Sequence, residues 1–427
     1  MEITVKGSGF YAGGLKNIDA CLRRMVDRGE VAGLGALVIR HGVAAYQQSF
    51  GMRDAARHIP MENDSIYRIF SMTKTFTIVA AMTLYEKGLF RLTEPIQEYL
   101  PAFKTIQVAE SDERGAVNLV PARTPITFEH LFTMTSGIPY PGADSYGGMM
   151  FRDIHADMAA DAVQGRFWNT AQLVDVAAVA VPLCFHPGQY WLYGFSHDVL
   201  GRLIEVLSGK SLGVYIKETI LDPLGLEDTS FYLPPEKHSR LVKPYAYAGA
   251  KLTEIRELSL PPDEDPEPEE RRFNPPDYVL EYGRQIFRAP PHFESGGAGL
   301  VSTLDDMGKY AQMLLNCGKS GNARILSRKT IDLIRKNHVR SSQMKNFAFP
   351  QINGYGYGLG VRTMEDTAAA GLNGSVGEWA WDGALGTWYC VDPAEDLTAV
   401  FMIQRSPGGH DDLCRRFAQT VYGAIDD

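Results

Sequence analysis

The stretch Tyr67-Arg68-Ile69-Phe70-Ser71-Met72-Thr73-Lys74 leads into a long apolar segment and indicates the central element of the fold. Residues 71–86 carry apolar side chains on almost every side, with Val79 and Met82 among them. A helix that is apolar all round is normally buried on most of its faces. The sequence therefore predicts that residues 71–86 form a buried helix at the centre of a domain.

Ser71 and Lys74 stand at the start of this predicted helix and, three positions apart, share one face. A serine hydroxyl is a poor nucleophile at neutral pH and needs a neighbouring base. Lys74 would lose its proton readily in a buried position, because burial disfavours the ammonium form. The helix N-terminus would also favour an oxyanion. A bare Ser-x-x-Lys is common by chance, and in the alternative interpretation Ser71 caps the helix and Lys74 is solvated.

Tyr193 is the candidate for a second proton carrier. It lies in a glycine-containing turn before a predicted helix at residues 198–208, so its side chain can project from a loop. A lysine ammonium nearby would favour the phenolate, which suits a general base that later protonates the leaving group. The chain contains twenty tyrosines, so the alternative is an ordinary core aromatic residue.

The segment Trp381-Asp382-Gly383-Ala384 stands at the entry to a predicted strand. A glycine at position 383 would let a substrate approach the backbone closely, and the N–H of Ala384 could complete an oxyanion hole. The alternative is an ordinary edge-strand glycine.

Composition argues against several classes of function. The formal net charge of −9, with no Lys/Arg cluster to offset it, argues against a nucleic-acid partner. The sequence contains no run of about eighteen apolar residues, so no membrane span is predicted. The N-terminal residues also lack the apolar run of a signal peptide. Five scattered cysteines, and ten histidines without metal-ligand spacing, indicate reduced thiols and no metal site. We therefore expect a cytoplasmic protein.

Strand patterns lie towards both ends of the chain, and helical patterns lie between them. Two apolar runs separated by the turn pair His41-Gly42 predict a β-hairpin at residues 33–40 and 43–50. Further strands are predicted at residues 355–362, 385–391 and 397–403.

One sheet built from both ends of the chain would carry an inserted, mostly helical lobe. We therefore predict a discontinuous α/β sandwich domain at residues 1–85 and 290–427. Residues 86–289 are predicted to form a helical inserted domain that contributes active-site loops.

Two segments, residues 139–167 and 258–291, are predicted to be loops. The second contains a dense run of proline and acidic residues at 261–270, which cannot build a core; a functional acidic patch is the alternative. The loops also supply aromatic side chains that could form an apolar cleft or simply pack the loops themselves. They are Tyr140, Tyr146, Phe151, Phe167, Tyr278, Tyr282 and Phe287.

Three motifs in this order resemble those of the serine β-lactamase and penicillin-binding superfamily. The nearest branch is similar to the class C β-lactamase-related family VIII carboxylesterases, which also include an acyltransferase of polyketide biosynthesis. The motifs are Ser71-Met72-Thr73-Lys74, Tyr193-Gly194-Phe195 and Trp381-Asp382-Gly383. The resemblance implies a β-lactamase-like α/β (α+β) fold, an antiparallel sheet flanked by helices with an inserted, mostly helical domain. It also implies Ser71 as nucleophile, Lys74 as its partner and Tyr193 as the catalytic tyrosine.

Two departures from true class C β-lactamases bear on the substrate. Trp381 replaces the family's lysine in the third motif, and Phe195 replaces an asparagine two residues after the tyrosine. Both changes are expected to replace a polar side chain that binds the substrate with apolar surface. Such a surface suits a neutral ester better than a charged lactam.

The sequence thus predicts a serine hydrolase that cleaves short-chain carboxylic esters through a Ser71 acyl-enzyme, with Lys74 and Tyr193 as the acid–base pair. Trp381, Gly383 and Ala384 are expected to bind the substrate and its oxyanion. A small-molecule ester is the expected substrate, and no cofactor is implied. The alternatives are a β-lactamase, D-amino-acid peptidase or amidase with a β-lactam as ligand, an acyltransferase that uses the same site, and a non-catalytic acyl-binding protein.

Overall fold

The computed structural model of the protein describes residues 3–112, 114–142, 144–255, 292–347, 349–410 and 412–427. Within these ranges, eight strands form one sheet in which every neighbouring pair is antiparallel. Numbered along the chain and given in spatial order, they are β12 (Tyr355–Tyr357), β13 (Arg362–Met364), β14 (Trp379–Ala380), β15 (Trp388–Asp392), β16 (Leu397–Met402), β1 (Gly33–Arg40), β2 (Val43–Asp54) and β3 (Ile59–Pro60).

β1 lies in the interior of this sheet, and all eight of its residues are buried. A continuous apolar run is typical of a strand that is covered on both faces. β1 continues into β2 through His41 and Gly42, which both have positive φ angles, of 54° and 70°. Such a two-residue turn matches the twist of a hairpin. The predicted hairpin is therefore confirmed.

Helices cover both faces of the sheet. Trp388 and Tyr389 are neighbours in β15, so their side chains point to opposite faces. The ring of Trp388 contacts Phe417 of the C-terminal helix, with centroids 6.0 Å apart, and the ring of Tyr389 contacts Tyr310 of another helix at 6.5 Å. The sheet is therefore the middle layer of an α/β sandwich.

The remaining regular elements connect or flank these layers. The α-helices are α1 (Ala12–Asp27), α2 (Thr73–Glu86), α3 (Phe128–Phe132), α4 (Tyr146–Val163), α5 (Thr170–Ala180), α6 (Ser196–Ser208), α7 (Leu212–Ile216), α8 (Asp222–Leu224), α9 (Leu304–Leu315), α10 (Arg328–Ile334), α11 (Thr367–Ala370) and α12 (Leu413–Tyr422). The short strands are β4 (Tyr67–Arg68), β5 (Gln107–Ser111), β6 (Val117–Pro121), β7 (Tyr245–Ala248), β8 (Lys251–Glu254), β9 (Val301–Ser302), β10 (Lys319–Ser320), β11 (Ala323–Arg324) and β17 (Arg405–Ser406).

α2 is the central helix that the opening stretch predicts. Eleven of its fourteen residues are buried, as expected for a helix that is apolar all round. It contacts α6 on one side, and on another its Phe76 ring stacks on Tyr310 of α9 with centroids 3.8 Å apart. The predicted buried helix is therefore confirmed, with a single 3₁₀ turn, Phe70–Met72, before it.

Three local predictions are wrong. The predicted strand at 355–362 is two strands, β12 and β13, because the chain reverses through Gly360, whose φ is +75°. The predicted strand at 385–391 begins later, at β15, since Gly386 takes a φ of +88° in a turn. The predicted loop at 139–167 contains the 18-residue helix α4. The predicted loop at 258–291, with its acidic run at 261–270, lies outside the described residues.

The observed architecture confirms the predicted fold class, an antiparallel sheet flanked by helices. The strands of the main sheet come from residues 33–60 and 355–402, with most of the helices between them in the chain. The domain boundaries near residues 85 and 290 stay a prediction. Among the residues that the structure describes, every helix is too short or too polar to span a lipid bilayer.

Candidate active site

Ser71 sits in the 3₁₀ turn that precedes α2, and it is half-buried. The residue before it, Phe70, has a φ of +43°, a left-handed conformation that an aromatic residue adopts only under strain. The Phe70 ring is 5% exposed and packs with Leu385 and Ala298, which offsets this strain. The packing thus fixes the backbone from which the Ser71 hydroxyl projects.

Lys74 lies one turn further along and is completely buried. Its Nζ donates to three uncharged oxygens: Ser71 Oγ at 3.1 Å, Tyr140 OH at 2.9 Å and the Gly297 carbonyl at 2.6 Å. Burial lowers the pKa of the Lys74 ammonium to about 7, although the Asp198 carboxylate opposes this shift. At neutral pH a substantial fraction of Lys74 is therefore uncharged and able to accept a proton from Ser71.

Asp198, at the start of α6, supports Lys74 indirectly. Its Oδ1 accepts hydrogen bonds from Ser295 Oγ at 2.5 Å and from the Gly297 N–H at 3.1 Å. The carbonyl of the same Gly297 is the acceptor of Lys74. A Cβ at position 297 would lie 2.5 Å from Asp198 Oδ2, so only glycine fits there. Sequence reasoning missed this loop, although the cluster Ser295-Gly296-Gly297-Ala298-Gly299 was a visible signal of close backbone packing.

Tyr193 and Tyr140 stand on the open side of Lys74. Lys74 Nζ lies 4.8 Å from the centroid of the Tyr193 ring, and the two tyrosine rings contact each other edge to face at 5.7 Å. Both rings are partly exposed. Gly194 lets the two loops touch, because a Cβ there would lie 1.9 Å from the Ile138 carbonyl oxygen. The structure thus brings the predicted Tyr193 beside Lys74.

Tyr140 is a functional candidate that sequence reasoning named only as a loop aromatic. Its hydroxyl is in direct contact with the Lys74 Nζ, whereas the Tyr193 hydroxyl accepts a hydrogen bond from Trp381 Nε1 at 2.9 Å. An N–H that points at a phenol oxygen stabilises negative charge on that oxygen. The flanking prolines, in Pro139-Tyr140-Pro141, were the available sign that the backbone here is fixed.

Gly383 and Ala384 form part of a turn that faces the start of α2. A Cβ on Gly383 would lie 2.3 Å from the Ile69 carbonyl oxygen, so the absence of a side chain lets this turn touch the chain just before Ser71. Ala384 is exposed, and its N–H has no hydrogen-bond acceptor within the described ranges. Within the described ranges, the structure therefore places an N–H without an acceptor in the turn that contacts the segment of Ser71.

A buried ion pair lies behind this turn. Arg362 Nη1 is 2.6 Å from Asp382 Oδ2, and the two residues are 3% and 7% exposed. Glu378 is buried nearby, where its Oε2 accepts from the Tyr355 hydroxyl at 3.3 Å. Burial raises the pKa of the Glu378 carboxyl to about 7, although Arg362 opposes the shift. Arg362 is thus paired chiefly with Asp382, the residue next to Gly383.

One expectation about the cleft surface is wrong. Trp381 and Phe195 were expected to provide apolar surface, but they are only 4% and 1% exposed. Phe195 instead packs edge to face against Phe151 of α4, with ring centroids 4.8 Å apart. Tyr146 and Phe167 are exposed, at 38% and 49%. The other aromatic residues that were named for the cleft lie outside the described ranges: Tyr278, Tyr282 and Phe287.

Comparison with known proteins places this arrangement in a family. The sequence profile described as Beta-lactamase matches residues 18–422. Protein Rv1367c of Mycobacterium tuberculosis is 30% identical over 395 residues, which cover 91% of this chain and 89% of that protein. Esterase EstB of Burkholderia gladioli is 26% identical over 386 residues, 90% of this chain and 89% of that protein.

A solved structure shares the fold of this chain. The structure of EstCE1, a hydrolase with promiscuous acyltransferase activity, aligns over 97% of this chain and 99% of its own with a TM-score of 0.72 and 24% identity. The family resemblance is confirmed by the profile match and by the relative at 30% identity. The chain belongs to the beta-lactamase family.

Proposed function

We propose that this protein is a carboxylesterase that hydrolyses short-chain esters through a covalent Ser71 acyl-enzyme. The observation that carries this proposal is the environment of Lys74. A fully buried amine with a pKa lowered to about 7 lies 3.1 Å from a partly exposed serine hydroxyl. A serine with such a base at hydrogen-bond distance is an activated nucleophile.

In the first step, Ser71 Oγ attacks the ester carbonyl and neutral Lys74 takes its proton. Negative charge then develops on the former carbonyl oxygen, where the N–H groups of Ser71 and Ala384 would bind it. Tyr193, whose ring lies beside Lys74 and whose hydroxyl is oriented by Trp381, protonates the departing alcohol.

In the second step, a water molecule attacks the acyl-enzyme. The same Lys74–Tyr193 pair accepts its proton, and Ser71 leaves as the alcohol and is reprotonated. Tyr140 contributes by accepting a hydrogen bond from the Lys74 Nζ, which holds the amine in reach of Ser71 Oγ.

The third motif favours a neutral ester over a β-lactam. Trp381 carries no charge, and its indole N–H is engaged with Tyr193 rather than free to bind a carboxylate. At the position where β-lactamases carry an asparagine, Phe195 is buried and offers no amide. Efficient β-lactam hydrolysis is therefore the less favoured alternative.

An acyltransferase is the second candidate, because the same acyl-enzyme can pass its acyl group to an alcohol or amine. The hydrolase EstCE1, whose fold this chain shares, is described as having promiscuous acyltransferase activity. Ser71 is partly exposed, so an acceptor larger than water could reach it.

The test is a paired rate assay with p-nitrophenyl butyrate and nitrocefin. We expect fast turnover of the ester and slow or no turnover of nitrocefin for the natural sequence. Ser71→Ala should abolish both activities, whereas Ser111→Ala, which changes an exposed serine in the β5–β6 hairpin, should leave them unchanged.

Two results would decide against the proposal. Full ester turnover by Ser71→Ala would remove Ser71 from the mechanism. Nitrocefin turnover faster than ester turnover would move the protein to the lactamase side. If a fluorophosphonate labels Ser71 but neither substrate is hydrolysed, an alcohol acceptor added with the ester would test the acyltransferase.

A further inference from the structure

His410 lies in the loop that follows the last strand of the sheet, and it touches the turn that carries Gly383. Its Nε2 is 2.8 Å from the Gly383 carbonyl oxygen. Since a carbonyl only accepts, this ring nitrogen carries the proton and donates it. The imidazole is half-buried, and nothing in the proposed mechanism uses it.

The Gly383 carbonyl and the Ala384 N–H belong to one peptide unit. A trans peptide is planar, so its C=O and its N–H point in opposite directions. Within the described ranges the cis peptide is Ser406–Pro407, so the unit between Gly383 and Ala384 is trans. A hydrogen bond that fixes the Gly383 carbonyl therefore also fixes the direction of the Ala384 N–H, away from His410.

The Gly383 carbonyl accepts a second hydrogen bond, from the Gly386 N–H at 2.8 Å. Two donors on one carbonyl oxygen pull electron density towards it, which makes the N–H of the same peptide more positive. His410 thus both orients and polarises the N–H of Ala384, which has no acceptor of its own in the described chain.

The loop of His410 is tied closely to this turn. The Arg405 N–H donates to the Leu385 carbonyl at 2.9 Å. At position 408 a Cβ would lie 2.4 Å from His410 Cε1 and 2.7 Å from the Gly386 nitrogen, so Gly408 allows this approach. On its other side, Gly383 touches the Ile69 carbonyl. The turn is therefore clamped between the nucleophile's segment and the His410 loop.

We infer that His410 is a positioning residue for the oxyanion hole, whose hydrogen bond to Gly383 aims the Ala384 N–H at the oxygen of an ester attacked by Ser71. This inference rests on the proposed esterase function. It assigns to His410 an effect on the transition state, where the oxyanion forms, and little effect on binding of the uncharged substrate.

The experiment compares variants that lack a donor with one that keeps it. His410→Leu and His410→Phe remove the N–H, and His410→Gln retains a side-chain N–H of similar reach. We expect kcat for p-nitrophenyl butyrate to fall about tenfold to hundredfold in the Leu and Phe variants, with KM nearly unchanged. His410→Gln should recover most of the rate. The rate of Ser71 labelling by a fluorophosphonate should follow the same order, since its phosphoryl oxygen becomes negatively charged like the oxyanion.

Three results would overturn the inference: unchanged kcat in both donor-free variants, an equal loss in His410→Gln, or a change carried by KM alone. Thermal unfolding of each variant shows whether it is folded. If one of the two donor-free variants has lost its fold, the kcat of the other one tests the inference. Ser71→Ala is measured in the same series. If Ser71→Ala keeps full turnover, the proposed function is wrong. If Ser71→Ala is inactive while His410→Leu has the normal rate, the proposed function stands and only the inference about His410 is wrong.

Discussion

The structure buries two cations near the active site, and it treats them in opposite ways. Lys74 is fully buried and, among the described residues, donates only to uncharged oxygens. Arg362 is 3% exposed and lies 2.6 Å from the carboxylate of Asp382. Burial lowers the pKa of Lys74 to about 7. Burial also opposes the charge on Arg362, but the pKa of its guanidinium lies above the usual range because the neighbouring acidic groups, Asp382 foremost, more than offset this effect.

The difference shows that the charge of the nearest acceptor, and not burial alone, decides whether a buried basic group keeps its proton. Asp198 lies close enough to affect Lys74, but its Oδ1 is bound by Ser295 and by the Gly297 N–H. The amine therefore gains no direct ion pair among the described residues and can lose its proton. Arg362 keeps its charge and fixes the strand that leads to Gly383.

The largest effect should follow from changing Lys74 itself. Lys74→Arg keeps a cation but cannot act as a base, because a guanidinium stays protonated. We expect ester turnover to fall at least about 10³-fold in Lys74→Arg and in Lys74→Met. Lys87→Met, at the exposed end of the same helix, should retain the rate. If Lys74→Arg keeps more than a tenth of the normal kcat, a fixed positive charge at this position is enough for catalysis. The proposed difference in role between Lys74 and Arg362 would then be wrong.

Breaking the other pair should mainly affect stability. Arg362→Met leaves the Asp382 carboxylate buried without its partner, and we expect the free energy of unfolding to fall by about 3–5 kcal/mol. The double variant Arg362→Met/Asp382→Asn should lose less, because it leaves no unpaired charge. Lys309→Met removes a cation paired with Asp305 at the surface and should cost less than about 1 kcal/mol. Urea unfolding measures all three, and equal losses for Arg362→Met and Lys309→Met would refute the structural role of the buried pair.

The smallest effect should be a displacement of the pH dependence. In the proposed mechanism neutral Lys74 is the base, so kcat/KM should rise with pH through about 7 as the ammonium loses its proton. The Asp198 carboxylate favours the ammonium, so Asp198→Asn should lower the pKa of Lys74. The acidic limb of the profile should then move to lower pH, by on the order of one unit.

Asp157→Asn, which changes an exposed acid on α4, is the control for this shift and should leave the profile in place. A limb that moves to higher pH in Asp198→Asn would mean that Asp198 acts on Lys74 through the Gly297 loop instead of through its charge.

The parts of the site that the sequence predicts are those set by local spacing. Ser71 and Lys74 meet because residues three apart share a helix face, and the hairpin at His41-Gly42 follows from its turn residues. Tyr140 and Gly297 could not be predicted to contact Lys74, since they are 66 and 223 positions away in the chain. The helix α4 was missed because its apolar residues do not repeat at a clear helical period. Likewise, no short-range pattern marks the burial of Phe195 under that helix.

The order of strands in the sheet has a consequence for how the protein is made. β1 is synthesised well before its neighbour on one side, β16. Until then, a wholly apolar strand has an unpaired edge, which is a template for aggregation. The turn that faces Ser71 comes from the same late part of the chain. Closure of the sheet and assembly of the proposed oxyanion hole therefore belong to one late folding event, and a nascent chain should gain its activity and its protection from aggregation together.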